Sequence, residues 1–389
     1  MEHISARQTA EKWGVSLRRV QIYLQEGRIA GAVRVGRLWM IPADAEKPGD
    51  PRKPKQKCLS TDFAQVIEAT IVPMPRHHPA AVLDTVGEDR LRLHLEGELA
   101  YLCGDFERVI ACFHRTKGDN AARLRACSLT IAAAITTGDY ALFSEIEAYL
   151  KDVIDANIGT AVSAVAQLSL DTAYVSAIAP NMVSDWVKSG DLRAVPPKVK
   201  PDAVYRRAKY FQCLGKFDVM LATAQTGLAF CPPDQEITFP GIYLRLSCAV
   251  ACCAMGQMSE AEHYLMEALH ICLPHGFITP FAESVTAFGG LLEKCLKRDF
   301  PAYHDMITQQ WQDTFANWIS FHNYFTQNNI TSILSLHKYE IAQLAAKRMP
   351  YTKIAKRLDI SVGQVKSTLS EIYAELLISD KRELSKFIL

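Results

Sequence analysis

A turn with the same pattern of residue types recurs four times in the middle of this 389-residue chain. In each copy, a run of apolar residues at helical spacing ends at a glycine, which is followed by a polar residue and then a bulky apolar one. The four glycines are Gly104, Gly138, Gly215 and Gly256. Because such a turn ends one helix and begins the next, the pattern predicts paired helices with few strands over residues 80–325.

The first two of these glycines are 34 residues apart, which is the period of a tetratricopeptide repeat. Around Gly104 and Gly256, small and large residues fall on that family's packing positions: Gly97, Ala100, Phe106, Val109 and Phe113, and then Ala249, Cys252, Met258, Ala261, Leu265 and Ala268. The middle of the chain therefore resembles a tetratricopeptide-like array of helical hairpins. The later spacings of 77 and 41 residues predict an irregular array, with Gly190 as a further candidate turn.

Stacked hairpins bury their apolar faces only against their neighbours, and together they form an extended concave surface. Two roles for this surface follow from the sequence. It is either a dimerisation scaffold or a sensor that binds a peptide, a protein or a small molecule.

Two short helices are predicted within residues 326–389, separated by Asp359-Ile360-Ser361. The Ser361 hydroxyl is placed to cap the second helix. The inner faces of both helices are apolar, with Ile354, Ala355 and Leu358 in the first and Val365, Leu369 and Ile372 in the second. This arrangement is typical of a helix-turn-helix, whose second helix enters a DNA major groove.

The same segment resembles the four-helix DNA-binding domain of LuxR-type (GerE-like) regulators. It departs from that family at Gln364, Thr368 and Leu377, and the first two lie on the exposed face, where they affect the target sequence rather than the fold. The matching positions are Leu334, Glu340, Ile354, Ala355, Leu358, Ile360, Ser361, Val365, Lys366, Leu369, Ile372 and Tyr373.

This resemblance implies DNA contacts and a homodimer. Thr352, Lys353 and Arg357 are expected at phosphates. The exposed face of the recognition helix is expected to consist of Ser361, Gln364, Lys366, Ser367 and Ser370. The dimer is expected through residues 380–388, with Leu384, Phe387 and Ile388 as its apolar face.

A second candidate DNA-binding domain occupies residues 1–50. Ser5 and Gln8 have the spacing of a capping box, Gly14 ends the first helix, and Ser16 begins a second one. Two short β-rich runs follow around a Gly-Arg turn. The order of these signals, with Gly27-Arg28, Gly31-Ala32 and Val35-Gly36-Arg37, resembles the MerR-like and excisionase-like winged helix. Its expected DNA contacts are Ser16, Arg18, Arg19, Gln21, Arg34 and Arg37.

Charge is distributed unevenly along a chain whose net charge is only +1. Residues 1–57 hold 12 Lys+Arg against 6 Asp+Glu, and residues 331–389 hold 10 against 6. Of the totals of 43 and 42, this leaves 21 basic and 30 acidic residues between the two ends. Basic ends favour contact with nucleic-acid phosphates, whereas an acidic middle is repelled by them.

Other classes of function find little support in the sequence. The most apolar stretch is interrupted by Gln167 and Asp171, so no membrane span is predicted, and a soluble cytoplasmic protein is expected. The eleven cysteines lack the regular spacing of a disulfide-bonded framework, so we expect them to be reduced thiols. The group of cysteines and histidines between Cys248 and His275 is expected to pack in the core. No nucleotide-binding glycine motif or nucleophile–base pattern occurs, so we expect no catalysis, metal or cofactor.

These observations predict a mainly α-helical transcription regulator that binds double-stranded DNA. Its predicted order along the chain is an N-terminal winged helix, a linker at residues 51–79, a tetratricopeptide-like body and a C-terminal LuxR-type helix-turn-helix. The alternative is an adaptor whose solenoid binds protein and whose helix-turn-helix ends mediate assembly.

Overall fold

The chain is mainly α-helical and forms two compact units, Met1–Cys58 and Leu59–Leu389. The computed structural model describes residues 3–25, 28–29, 31–35, 38–45, 47, 71–232, 236–326, 336–375, 378, 382 and 384. Among the helices of these ranges, none is long and apolar enough to cross a bilayer.

The first unit packs two helices, α1 (Ala6–Trp13) and α2 (Leu17–Gln25), with a three-stranded antiparallel sheet. Strand β3 (Leu38–Pro42) lies between β1 (His3–Ser5) and β2 (Val33–Val35). The predicted helices and hairpin strands are present, whereas β1 was not predicted. The buried core consists of Ala10, Val20, Tyr23, Leu24, Ile29 and Ile41.

The ends of α1 follow from its sequence. The predicted capping box is confirmed, because the Gln8 amide donates to Ser5 Oγ at 3.3 Å and the Ser5 amide donates to Gln8 Oε1 at 2.9 Å. Gly14, with φ of 61°, ends the helix in the left-handed region that glycine enters without steric cost.

The second unit begins inside the stretch that the sequence assigns to the linker. Strand β4 (Met74–Pro75) pairs with β5 (Glu236–Ile237), and the Met74 side chain is fully buried. The His275 ring bonds the Arg76 carbonyl oxygen at 2.7 Å. Residues 71–79 therefore pack as part of the helical unit, while residues 51–70 lie outside the described ranges.

Successive packed helices make up the rest of this unit. They are α3 (Val82–Thr85), α4 (Asp89–Cys103), α5 (Phe106–His114), α6 (Asn120–Thr137), α7 (Tyr140–Ala156), α8 (Ala161–Ser176), α9 (Asp185–Ser189), α10 (Lys200–Cys213), α11 (Phe217–Leu228), α12 (Phe239–Ala254), α13 (Met258–Cys272), α14 (Thr279–Ala282), α15 (Val285–Phe288), α16 (Leu291–Asp299), α17 (Pro301–Thr326), α18 (Leu336–Ala346), α19 (Tyr351–Leu358) and α20 (Val362–Glu375). Short 3₁₀ turns lie at Pro79–Ala81, Pro197–Val199 and Leu273–His275.

The predicted glycine turns are confirmed. Gly104, Gly138, Gly215 and Gly256 all have φ between 67° and 84°, which is the left-handed conformation of a helix end. After the first two, an aspartate caps the next helix; the Arg108 amide, for example, donates to the preceding aspartate at 3.0 Å. These turns join α4 to α5, α6 to α7, α10 to α11 and α12 to α13.

The positions that the sequence assigns to hairpin packing are mostly buried. The exceptions are Phe106, which is half-buried, and Met258, which is 47% exposed, contrary to the expected packing role. Helix α11 packs closely against its neighbours at Gly227. A Cβ atom there would lie 2.8 Å from Leu244 Cδ2 and 2.9 Å from Val204 Cγ1.

Helix α17 lies across the C-terminal ends of α6 and α8. Asn317 Nδ2 donates to the Thr136 carbonyl at 2.9 Å, and Trp318 Nε1 donates to the Ser176 carbonyl at 2.6 Å. These carbonyls have no partner within their own helices, so the side chains of α17 satisfy them. Phe321 stacks on Tyr140 with the ring centroids 4.1 Å apart, so this aromatic side chain of α17 packs at the interface with α7.

The C-terminal helices α18, α19 and α20 have a core of their own within the second unit. Leu384, expected on a dimer face, is fully buried in this core. Phe387 and Ile388 lie outside the described residues.

Candidate functional site

The turn between α19 and α20 is built by local bonds. Asp359 ends α19 with φ of 53°, a left-handed conformation that aspartate tolerates better than most residues. The Gln364 amide then donates to Ser361 Oγ at 3.1 Å, and the Ser361 amide donates to Gln364 Oε1 at 2.9 Å. This reciprocal pair is a capping box, which fixes the start of α20.

The two faces of α20 differ as predicted. Val365, Leu369 and Ile372 are buried, whereas the side chains expected to face DNA are exposed: Ser361, Gln364, Lys366, Ser367 and Ser370. Their hydrogen-bonding capacity is unequal. Ser367 Oγ donates to the Gln364 carbonyl and Ser370 Oγ to the Lys366 carbonyl, both at 3.1 Å. These two hydroxyls can therefore act toward DNA as hydrogen-bond acceptors. Lys366 and the side-chain amide nitrogen of Gln364 can act as donors.

Arg357 occupies a different environment from the other predicted phosphate contacts. Thr352 and Lys353 are exposed on α19, but Arg357 packs against Gly289 and Gly290. A Cβ atom on Gly290 would lie 2.7 Å from the Arg357 carbonyl oxygen. Arg357 Nε is buried and has no hydrogen-bond partner among the described residues. Arg357 is thus part of the contact between the C-terminal helices and the body.

Two carboxyl groups surround this contact. Burial and the neighbouring Glu293 raise the pKa of Glu340 to about 7, and Arg357 opposes the shift. Burial also raises the pKa of Glu293. The guanidinium group of Arg357 therefore lies where it offsets the repulsion between two desolvated carboxylates.

The candidate DNA-binding residues of the first unit are partly accessible. Arg18, Gln21 and Arg34 are exposed. Arg19 is half-buried; its Nε donates to the Tyr23 hydroxyl at 3.2 Å, and its guanidinium carbon lies 5.4 Å from the Tyr23 ring centroid. Ser16 is exposed, and its Oγ accepts from the Arg19 amide at 3.3 Å. Arg37 lies outside the described residues.

The cysteines of α12 and α13 belong to the core, as predicted, whereas His263 and His270 of the same group are exposed, contrary to the prediction. Cys248, Cys252, Cys253 and Cys272 are free and buried. Burial raises the pKa of the Cys248 thiol to about 12. Such thiols are protonated at neutral pH and behave as small apolar side chains.

A polar cavity that the sequence analysis missed lies between α4, α6, α8, α10 and α12. Its charged lining residues are Glu98, Arg125, Asp202, Arg206 and Glu283. Helices α4 and α6 contribute one of them each and α10 contributes two, while Glu283 follows α14. Because the cavity forms only when helices far apart in sequence pack together, no local motif signals it.

No protein-family model, curated protein or solved structure matches this chain.

Proposed function

We propose that this protein is a sequence-specific DNA-binding transcription regulator with a helix-turn-helix domain at each end. The observation that carries the proposal is the capped helix α20, with Lys366 and its neighbours exposed on one side and an apolar core on the other. A short rigid helix with one accessible polar face is the element that reads base edges in the major groove. The basic character of both chain ends supports the same function.

In this proposal the C-terminal helices divide the contacts between phosphates and bases. Thr352 and Lys353 on α19 bind phosphates of the DNA backbone and so fix the position of the protein along the duplex. Lys366 and the Gln364 amide nitrogen on α20 are the donors available to base acceptors or to phosphate. The capping box holds Gln364 in place before DNA arrives, so less side-chain freedom is lost on binding.

The first unit contributes a second DNA contact as a winged helix. Arg18 and Gln21 project from α2, and Arg34 projects from the strand that leads into the wing. An arginine on a wing is suited to phosphate or minor-groove contact. With two DNA-binding ends on one chain, binding of one end raises the effective concentration of the other.

The helical body controls this binding, either as a dimerisation scaffold or as the sensor of an effector. A homodimer with two equivalent half-sites is the expected assembly on DNA. Packing of Arg357 against Gly289 and Gly290 supports the second candidate function, an adaptor whose ends contribute to assembly, because this side chain then contacts protein rather than phosphate.

Fluorescence anisotropy on the full chain tests the proposal. The quantity measured is the affinity for random duplex DNA as a function of salt concentration. A regulator loses affinity steeply as salt rises, because phosphate contacts release counterions. Lys366→Ala should weaken binding to a selected target by about 1–3 kcal/mol if Lys366 contacts a base, or reduce the salt slope by about 1 if it contacts phosphate.

Lys117→Ala is the matched control, since Lys117 is exposed on the acidic body and should not affect DNA affinity. An affinity that does not depend on salt and is equal in wild type, Lys366→Ala and Arg18→Ala would favour the adaptor instead.

A further inference from the structure

The polar cavity between the helices of the second unit combines fixed charges of both signs with open space. It has a volume of about 80 Å³. A single water needs about 10–15 Å³ of such space, so the cavity accommodates roughly five to eight non-hydrogen atoms. This is the size of a small metabolite rather than of a folded partner.

The basic side of the cavity is formed by Arg206, which is only 5% exposed. Its Nε donates to Thr172 Oγ1 at 3.1 Å, and its Nη2 donates to Ser128 Oγ at 3.0 Å and lies 3.4 Å from Asp202 Oδ1. These bonds come from three helices and hold the guanidinium group rigidly. Nη1 is not among its bonded atoms in the described part of the chain, so this nitrogen is available to an acceptor in the cavity.

The acidic side is Glu283, which lines the cavity and is exposed. Its two oxygens accept hydrogen bonds from the hydroxyls of Tyr101 and Tyr243, the latter at 2.9 Å. Each carboxylate oxygen can accept a second hydrogen bond. The two tyrosines therefore orient Glu283 and leave it able to accept a hydrogen bond from a ligand. Desolvation by the surrounding protein raises the pKa of Glu283, while the two tyrosine bonds oppose the shift.

Glu283 and Arg206 are not paired with each other. Asp202 neutralises Arg206, and Glu98 lies 3.2 Å from the ring of His94. Glu283 has no described cation within salt-bridge distance, and the positive charges of Lys209 and Arg206 act on it only from farther away. A ligand cation in direct contact with Glu283 would add a charge-assisted hydrogen bond that neither Lys209 nor Arg206 supplies. The remaining wall includes Leu129, Ala132 and Phe239, which are apolar.

We propose that this cavity binds a free α-amino acid with a short side chain, whose ammonium group pairs with Glu283 and whose carboxylate accepts from Arg206. A zwitterion matches the Glu283 carboxylate and the Arg206 Nη1 group together, whereas a simple anion or cation would satisfy only one of these two groups. The apolar wall accommodates the short side chain. Binding itself does not depend on the DNA-binding function proposed above.

Isothermal titration calorimetry on the full chain with glycine, alanine, serine and valine tests this site directly, without DNA. At least one of them should bind, and the analogues that lack one charge, propionate and ethylamine for alanine, should bind at least about tenfold more weakly. Glu283→Gln keeps the size of the side chain and should weaken amino-acid binding by about tenfold or more. Glu107→Gln, an exposed position on α5, should leave it unchanged.

Arg206→Lys is a second variant, but it removes bonds that join three helices, so circular dichroism must first show that it folds. Absence of binding by all four amino acids at millimolar concentration would overturn the proposal, as would equal affinity in wild type and Glu283→Gln. Equal binding of alanine and propionate would also overturn it, by assigning the cavity to anions.

Discussion

At the scale of single residues, Asp171 is a buried carboxylate that makes stability depend on pH. It is 1% exposed within α8 and accepts a hydrogen bond from the Ser184 amide at 2.8 Å and another from the Ser184 hydroxyl. Burial nevertheless outweighs these bonds and raises its pKa from 3.8 to about 6. The folded state therefore holds the Asp171 proton more tightly than the unfolded chain does.

The sign of the effect follows from this raised pKa. Well below pH 3.8 the group is protonated in both states and costs nothing. As pH rises from about 4 to about 6, the unfolded chain releases this proton more readily than the folded state does, so stability falls. Asp171→Asn should remove this loss, which amounts to at most about 3 kcal/mol.

Urea denaturation between pH 4 and pH 7 measures the difference in unfolding free energy between wild type and variant. Asp155→Asn, at an exposed position on α7, is the control and should leave the pH profile unchanged. A constant difference between wild type and Asp171→Asn across this range would contradict the assignment.

At the scale of elements, Gly227 sets how closely α11 packs against its neighbours. Alanine favours a helix over glycine by up to about 1 kcal/mol. At Gly227, however, the added methyl group would meet Leu244 and Val204 at less than 3 Å. Overpacking costs about 1–3 kcal/mol, so Gly227→Ala should lower the unfolding free energy by about 1–2 kcal/mol.

Gly363→Ala makes the same chemical change in α20, where the nearest atom to the added methyl group is Ser361 Oγ at 3.7 Å. It should be neutral or stabilising by a few tenths of a kcal/mol. Thermal unfolding of both variants measures the contrast. Equal effects would show that close helix contact at Gly227 is not what excludes a side chain.

The elements also show which features of a sequence determine structure locally. The turns at Gly104 and Gly138 were predictable because a left-handed glycine and a capping aspartate act within a few residues. The β4–β5 pair was not, because Met74 and Ile237 meet only after the intervening helices pack. The exposed face of α20 followed from helical spacing, but the burial of Arg357 and the polar cavity depend on helices far apart in the chain.

At the scale of the whole second unit, the C-terminal helices are joined to the body through Gly289 and Gly290. Gly290 has φ of 91°, and the space where a side chain would lie is occupied by Arg357. Glu283 of the polar cavity lies only a few residues earlier in the same segment, just after α14. A change at the cavity is therefore close in the chain to the contact that holds α19.

Gly290→Ala should separate α19 from the body, because the added methyl group has no space beside the Arg357 carbonyl. Gly276→Ala is the matched control: its φ of 73° imposes similar backbone strain, but nothing lies within 4 Å of the added Cβ atom. Hydrogen exchange over α18, α19 and α20 should therefore increase in Gly290→Ala alone.

Gly290→Ala and Gly276→Ala also test whether the contact between α19 and the body affects DNA binding. The Arg357 guanidinium group cannot pack against Gly289 and bind a phosphate at once, so this packing, next to the backbone contact at Gly290, competes with the predicted phosphate contact. Gly290→Ala should then raise DNA affinity by up to about tenfold, the value of one charged contact, while Gly276→Ala leaves it unchanged. Weaker DNA binding in Gly290→Ala alone would show instead that the packed arrangement is the one that binds DNA, with Arg357 acting as a structural residue.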